Sequence, residues 1–347
     1  MTSARVDVAD VIRFLPGDTT MGDEIYEGWR GHQLHEFPDV KPFGRENIQA
    51  LLETPPANML GEFYAAVVDG HIVGAVLIFM PQRENTHLAH IEGWVHVGER
   101  RKGYGRTLYT HAVARLKELG RTTMIVRIQD PADSDPPAPG PGFAEAVGMT
   151  CALTEVERRQ YPDEIDTAAA EKMLADCRER AEGYELLQWS DGLDGLTPEE
   201  YVDDLARLEV RLDTDAPQGE LKREAREPDA DAIRAQCERG RVSGIRNFHT
   251  VVRHGESGRI VAWTFISSPP GDPGHCRQGI TVVDPDHRGS RLGTYVKLAN
   301  LTYSMEREPA LRVVETSNAG ENAHMIAIND ALGYRIHGRI HNFQTEV

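Results

Sequence analysis

One stretch of this chain occurs twice. The segment from Gly70 to Gly105 recurs without a gap at an offset of 188 residues. Gly70-His71-Ile72-Val73-Gly74-Ala75 aligns with Gly258-Arg259-Ile260-Val261-Ala262-Trp263, and the same offset sets Val95 on Val283, Arg100 on Arg288 and Gly105 on Gly293. A period this long means duplicated domains, since solenoids repeat every few tens of residues. The edges agree after small shifts. Val11-Ile12-Arg13-Phe14-Leu15 resembles Glu185-Leu186-Leu187-Gln188-Trp189, and Glu145-Ala146-Val147-Gly148-Met149 resembles Asp330-Ala331-Leu332-Gly333-Tyr334. A length of 347 residues suits two such units. Between them, Asp166 to Glu182 is rich in Ala, Glu and Arg, with Pro162 before it and Gly183 after it, which predicts a linker helix. The expected organisation is an N-terminal domain at 1–162, a linker helix at 163–183 and a C-terminal domain at 184–347.

Each copy reads as antiparallel hairpins followed by a strand-helix-strand-helix unit, an α+β plan with a mixed, mostly antiparallel sheet flanked by helices. In the first copy, strands are expected over Phe63–Val68 and Ile72–Met80 around an Asp69-Gly70 turn, then over His87–Val97 and Met124–Ile128. Leu108, Ala112, Leu116 and Leu119 form one apolar face of a helix between Arg106 and Leu119. In the second copy, the corresponding strands are Thr250–Arg253, Ile260–Ser267, Gly279–Val283 and Leu311–Glu315, with helices over Leu292–Met305 and Asn322–Leu332.

A net charge of −17 disfavours nucleic acid and anionic membranes as partners. Cys151, Cys177, Cys237 and Cys276 lack metal-ligand spacing and read as reduced thiols, so no metal and a cytoplasmic location are expected. The charged first residues do not form a signal peptide, and the longest apolar run, Ile72 to Met80, is far too short to span a bilayer. A monomer or homodimer is expected.

The chemistry concentrates in the turn at Val95-His96-Val97-Gly98-Glu99-Arg100-Arg101-Lys102-Gly103-Tyr104-Gly105-Arg106. A strand ends, a Gly- and Arg-rich bend follows, and a helix begins. Glycines let backbone approach a ligand, and the amides at a helix start carry partial positive charge. That combination suits a diphosphate. The Gly-Lys-Ser/Thr of a P-loop is missing, as is a GxGxxG at the start of a βαβ unit.

Arg100-Arg101-Lys102-Gly103-Tyr104-Gly105 resembles the coenzyme A loop of the GNAT acyl-CoA N-acyltransferase superfamily. The second copy, Arg288-Gly289-Ser290-Arg291-Leu292-Gly293 followed by Thr294, departs by placing Arg291 where a glycine belongs. Glu315-Thr316-Ser317-Asn318, Asn322, Met325, Asn329 and Leu332-Gly333-Tyr334 resemble that family's last core strand and helix. Asp215-Ala216-Pro217-Gln218-Gly219 adds a likeness to tandem, actinobacterial members.

The resemblance implies direct transfer of an acetyl group from acetyl-CoA to an amine of a small molecule or peptide. It also implies an oxyanion donor at the amide of Val95 or Val283, contact of Asn318 and Asn322 with the cofactor, and a thiolate-protonating tyrosine seven residues beyond Asn322. Here that position is Asn329, which has no proton to give near neutral pH. In the first half the last strand runs into Asp130–Gly142, a Pro/Gly-rich stretch expected to be a loop without helix. Candidate bases are Glu92 and His90 on the strand entering the first bend and Glu315 on the last strand of the second half; His96 reads as a surface histidine. The first copy has the better phosphate bend and the second the better final strand and helix, so catalysis is expected in the C-terminal half. A non-catalytic acyl-CoA-binding protein and a mycothiol-synthase-like acetyltransferase are the alternatives.

Overall fold

A computed structural model describes residues 9–42, 44–53, 58–131, 138–192 and 195–347. In chain order the first half contains β1 (Asp10–Arg13), α1 (Thr19–Glu36), α2 (Arg45–Glu53), β2 (Met59–Val68), β3 (His71–Pro81), β4 (Leu88–Val95), α3 (Tyr104–Glu118), β5 (Thr123–Pro131), α4 (Pro139–Ala146) and β6 (Thr150–Gln160). The second contains α5 (Thr167–Arg180), β7 (Tyr184–Asp191), α6 (Val202–Glu209), α7 (Leu212–Asp215), α8 (Ala230–Val242), β8 (Arg246–His254), β9 (Ile260–Ser268), β10 (His275–Val283), α9 (Leu292–Arg307), β11 (Val313–Ala319), α10 (Ala323–Ala331) and β12 (Arg335–Glu346).

Contacts divide the chain into two units that are not continuous in sequence. Unit 1 comprises Met1–Thr154, Gly219–Glu224 and Ile340–Val347; unit 2 comprises Glu155–Gln218 and Ala225–Arg339. Residues 155–162 therefore count with unit 2 and the last eight residues with unit 1, which differs from the contiguous boundaries expected from sequence.

Unit 1 has the strand order β1-β2-β3-β4-β5, followed by the end of β12. β1 to β4 pair antiparallel, and β4 pairs with β5 in parallel. The β2–β3 hairpin turns on Asp69 and Gly70, at φ 51° and 82°, the positive pair that a type I′ turn requires. One sheet face packs Tyr64, Val76, Ile78 and Ile91 against Tyr104, Leu108, Ala112 and Leu116 of α3. Phe63, Phe79 and Trp94 of the other face pack with Ile25 of α1 and Leu52 of α2. The helix-face pattern of α3 read from sequence is thus its buried stripe, and the helix starts earlier than expected, at Tyr104.

α4 corrects the reading of Asp130–Gly142 as a loop without helix. It begins inside that run, at Pro139. Proline costs nothing in a first turn, where no backbone N–H is needed, and its fixed φ suits the helix. Residues 132–137 of the run lie outside the described residues.

Unit 2 has the order β6-β11-β10-β9-β8-β7. β7 to β10 are antiparallel neighbours, β10 pairs with β11 in parallel, and residues 155–160 of β6 close the sheet antiparallel to β11. Here α9 is buried on most sides. Val252, Val261 and Ala262 of the sheet pack on one side of it and Cys177 and Ala181, from α5 and its C-cap, on another.

Candidate active site

Both bends fold to the same backbone trace. In unit 1, β4 ends at Val95, a single 3₁₀ turn spans Val97–Glu99, and α3 starts after Gly103. In unit 2, β10 ends at Val283, the 3₁₀ turn spans Pro285–His287, and α9 starts after Arg291. Two positions in each bend adopt positive φ: Arg101 at 65° and Gly103 at 97°, Gly289 at 95° and Arg291 at 56°. The register matches, so the glycine has simply changed place. Arg291 keeps the left-handed conformation that Gly103 adopts, at a cost of about 1 kcal/mol for a residue with a Cβ.

The arginines expected to meet phosphate hold the bends together. Arg100 donates through Nε to the Val95 carbonyl at 3.3 Å, and Arg288 donates to the Val283 carbonyl at 3.2 Å. Arg100 also meets Glu36 at 2.7 Å and His32 Nδ1 at 3.1 Å; Arg288 meets Asp215 at 2.6 Å. His32 accepts because burial drives its pKa down to about 4 and keeps it neutral. Lys102 pairs with Glu99 at 2.8 Å, and Arg291 with Asp176 at 2.5 Å. Tyr104 and Leu292, one register position, are core residues at 3% and 1% exposure. Their side chains anchor the helix starts and only their amides can serve a ligand. Gly105 lies against Phe143, and Gly293 against Ile328 and Val283. Arg106 and Thr294 follow on the first turns; Arg106 reaches the Ala146 carbonyl at 3.4 Å. Val97 and Ser290 lie within the bends.

The helix-start amides remain. In α3 the first amide to bond inside the helix is that of Arg106, to Gly103; in α9 that of Tyr295 bonds to Arg291. The amides of Gly103 to Gly105 and of Arg291 to Thr294 therefore lie at the open helix ends. Two left-handed residues leading into a helix make a concave set of N–H groups suited to an anion.

Next to each bend the sheet opens. The β4–β5 parallel ladder ends at Ile91↔Val126, and the β10–β11 ladder at Arg277↔Glu315. The amide of His96 donates to Val73 and that of Asp284 to Val261. Successive strand amides point to opposite edges, so those of Val95 and Val283 face the openings. The openings differ in one respect. β10 carries a bulge between Gln278 and Thr281, whereas β4 runs in register from Gly74↔Val95 to Phe79↔His90. The Ile280 carbonyl in the bulge accepts from Thr264 Oγ1 at 2.8 Å.

Glu92 occupies the register of Ile280. It reaches solvent, yet surrounding protein desolvates its carboxyl and raises its pKa, with Arg127 opposing. Its sheet face also carries His90, held neutral by burial with a pKa near 4, and Trp94. Trp94 fills the space under α1 so tightly that a Cβ on Gly28 would lie 2.0 Å from its ring. Glu315 is tied down: Arg159 Nε donates to it at 3.1 Å and His275 lies 3.3 Å away. Burial opposes ionisation, but His275, Arg277 and Arg159 hold its pKa well below the usual carboxylate range. A carboxylate so held is a weak base. The Asn322 side chain accepts from the Met325 amide at 3.1 Å, so its oxygen caps α10. Asn318 and Asn329 meet, with Asn329 Nδ2 donating to Asn318 Oδ1 at 3.0 Å.

A depression of about 480 Å³ in unit 2 is lined by Tyr161, Asp166, Met173, Leu298, Leu332 and Tyr334. No residue of the 283–294 bend lines it, so it is separate from that bend.

The sequence profile of the Acetyltransferase (GNAT) family matches residues 26–134. Among solved structures, a tandem GNAT protein from the clavulanic acid biosynthesis pathway is 27% identical over 97% of this chain and 98% of that one, with a TM-score of 0.79. Residues 26–134 thus carry the GNAT family pattern, and the whole chain is similar to a tandem GNAT protein. A GCN5-related N-acetyltransferase from Sphaerobacter thermophilus, 16% identical over 98% of this chain and 96% of that one, shares the fold with a TM-score of 0.63. So does a putative acetyltransferase from Pyrococcus horikoshii, 14% identical over 100% of this chain and 92% of that one, with a TM-score of 0.53. No curated protein matches the sequence.

Within this GNAT fold, sequence reasoning passed over one side chain at the centre of unit 2. Lys297 of α9 is 2% exposed and donates to Asn329 Oδ1 at 2.6 Å. A lysine inside a helix ordinarily reads as surface. The signal available in sequence was its setting, with Tyr295 and Val296 before it and Leu298, Ala299 and Leu301 after it.

Proposed function

We propose that unit 2 transfers an acetyl group from acetyl-CoA directly to a primary amine of a small molecule or peptide, while unit 1 binds the coenzyme without turning it over. The observation that carries this reading is the coincidence, in unit 2, of an amide-lined bend, an opened sheet and a bulged strand beside the opening. Bulges re-aim backbone groups next to active sites. The matching stretch of unit 1 has no register shift, and Trp94 occupies the space beneath α1.

The amides of Arg291 to Thr294 would hold the diphosphate, with the pantetheine arm in the opening between β10 and β11. The Val283 amide, facing that opening, would stabilise the oxyanion that forms as the amine attacks the thioester. A typical alkylammonium has a pKa of about 10, so the acceptor must lose a proton first. Glu315 is too firmly ion-paired for that task; its work is to fix β10, β11 and β6 through His275 and Arg159. Water in the opening is the base this arrangement leaves. The tandem relative is described without AcCoA, which makes acetyl-CoA the donor to try first. The four free cysteines suit a cytoplasmic, reducing setting.

Two variants at one register position test the assignment. Gly289→Asp and Arg101→Asp each place a carboxylate on an exposed, left-handed position of a bend, where Asp is tolerated. Thiol release from acetyl-CoA is measured against a panel of amines. Loss of turnover in Gly289→Asp alone supports unit 2; loss in Arg101→Asp alone refutes it.

A further inference from the structure

Lys297 is an amine in a core that would be cheaper to build without it. Its Nζ meets a carboxamide oxygen, Asn329 Oδ1, at 2.6 Å and lies 4.7 Å from the centroid of the Tyr334 ring. Neither contact supplies a full counter-charge, and burying an ammonium without one is costly. Packing alone is served by Leu or Met at such a position. Burial alone pushes the Lys297 pKa down to about 7. The apolar clusters that flank it on α9 contain Cys177 from α5, Cys276 from β10 and Tyr334. Burial raises the pKa of all three, so they stay neutral.

The contacts of Lys297 have a direction. A charged lysine only donates, so the Asn329 oxygen is turned to it. The Asn329 amino group then donates to Asn318 Oδ1 at 3.0 Å. Asn318 lies on β11 beyond Glu315, the last residue paired with β10. The chain thus runs from the interior of α9 to the opening of the sheet.

We infer that Lys297 is the acid that returns a proton to the leaving thiolate, and that Asn329 is the residue that positions it. The inference rests on the reading of unit 2 as an acyl-CoA site. When the C–S bond of the tetrahedral adduct breaks, its electron pair goes to sulfur. An N–H bond of Lys297 breaks with its pair kept by nitrogen, and an S–H bond forms. The neutral amine then takes a proton from water, which has received the one shed by the acceptor. Transfer from an ammonium of pKa near 7 to a thiolate whose acid has a pKa of about 8.5 runs downhill.

Coenzyme A itself is the probe. Its thiol is titrated by the ultraviolet absorbance of the thiolate, free and bound, with Arg101→Asp present to confine loading to unit 2. A cation beside the sulfur lowers the bound thiol pKa by about one unit or more. That shift is expected with Lys297 and lost in both Lys297→Met and Lys297→Gln; Gln keeps a donor to Asn329. With an amine acceptor, both variants are expected to lose about 10²-fold in kcat with KM little changed. A bound thiol that titrates alike with and without Lys297 overturns the inference while leaving unit 2 a coenzyme site. Failure of coenzyme A to bind unit 2 at all overturns both.

Discussion

Gly103 and Arg291, 188 residues apart, share a left-handed backbone, at φ 97° and 56°, as the residues that start α3 and α9. The duplicated bend has kept its shape while exchanging which of its two left-handed positions is glycine. Arg291 also pairs with Asp176 of α5. Arg291→Gly removes about 1 kcal/mol of backbone cost and an exposed ion pair of about 0–1 kcal/mol. Stability in urea is expected to change by less than about 1 kcal/mol. Arg291→Val, β-branched at positive φ, is expected to lose about 1–3 kcal/mol in the same measurement.

Lys297 makes the protein pH-sensitive with a definite sign. Its folded pKa, about 7, lies below the ordinary 10.5. The unfolded chain therefore binds more protons between these values, and stability from this group rises with pH across that window. The full difference is on the order of 4–5 kcal/mol. Lys297→Met is expected to be more stable than the native chain near pH 7, with the gap closing toward pH 10. Urea denaturation of both proteins at several pH values checks this; a gap independent of pH would mean that Lys297 is not buried as a titrating amine.

Glu315 contributes with the opposite sign. Its carboxyl is held below the ordinary range, so its stabilisation is present above the usual carboxylate pKa and is lost as pH falls through the depressed one. Glu315→Gln removes the carboxylate charge that Arg159 Nε, on a residue 5% exposed, and His275 both meet. A loss of about 3 kcal/mol is expected at pH 7. The loss should shrink in acid, as read by denaturant midpoints at pH 7 and pH 3.

Gly28 is demanded by contact rather than by backbone angle. Its missing Cβ leaves room for the Trp94 ring, which a methyl would approach to 2.0 Å. Gly28→Ala is expected to destabilise unit 1 by about 1–3 kcal/mol. Trp94 fluorescence followed through urea unfolding reports it, and an unchanged midpoint would place the tryptophan elsewhere.

Much of this was legible. The 188-residue offset located both bends, and the periodicity of Leu108, Ala112 and Leu116 fixed the face of α3. Arg100 and Arg288 read as phosphate ligands because charge near glycine suggests an anion; sequence does not show that each guanidinium returns to the carbonyl of its own strand. Asn322 read as a cofactor contact and is a helix cap, a role its residue type also favours. The prolines of 139–142 read as a break and instead open α4. Lys297 was invisible because burial of α9 depends on α5 and the sheet together, a tertiary fact that no local pattern carries. The assignment of Ile340–Val347 to unit 1 was hidden for the same reason, since pairing across the length of a chain leaves no mark on neighbouring residues.

The most direct test is a crystal structure of the whole chain with acetyl-CoA. Diphosphate oxygens are expected against the amides of Arg291 to Thr294, with the thioester carbonyl beside Val283 in the opening between β10 and β11. A diphosphate seated only on the Gly103–Gly105 amides, or a unit 2 opening with no coenzyme in it at saturating concentration, would contradict that expectation.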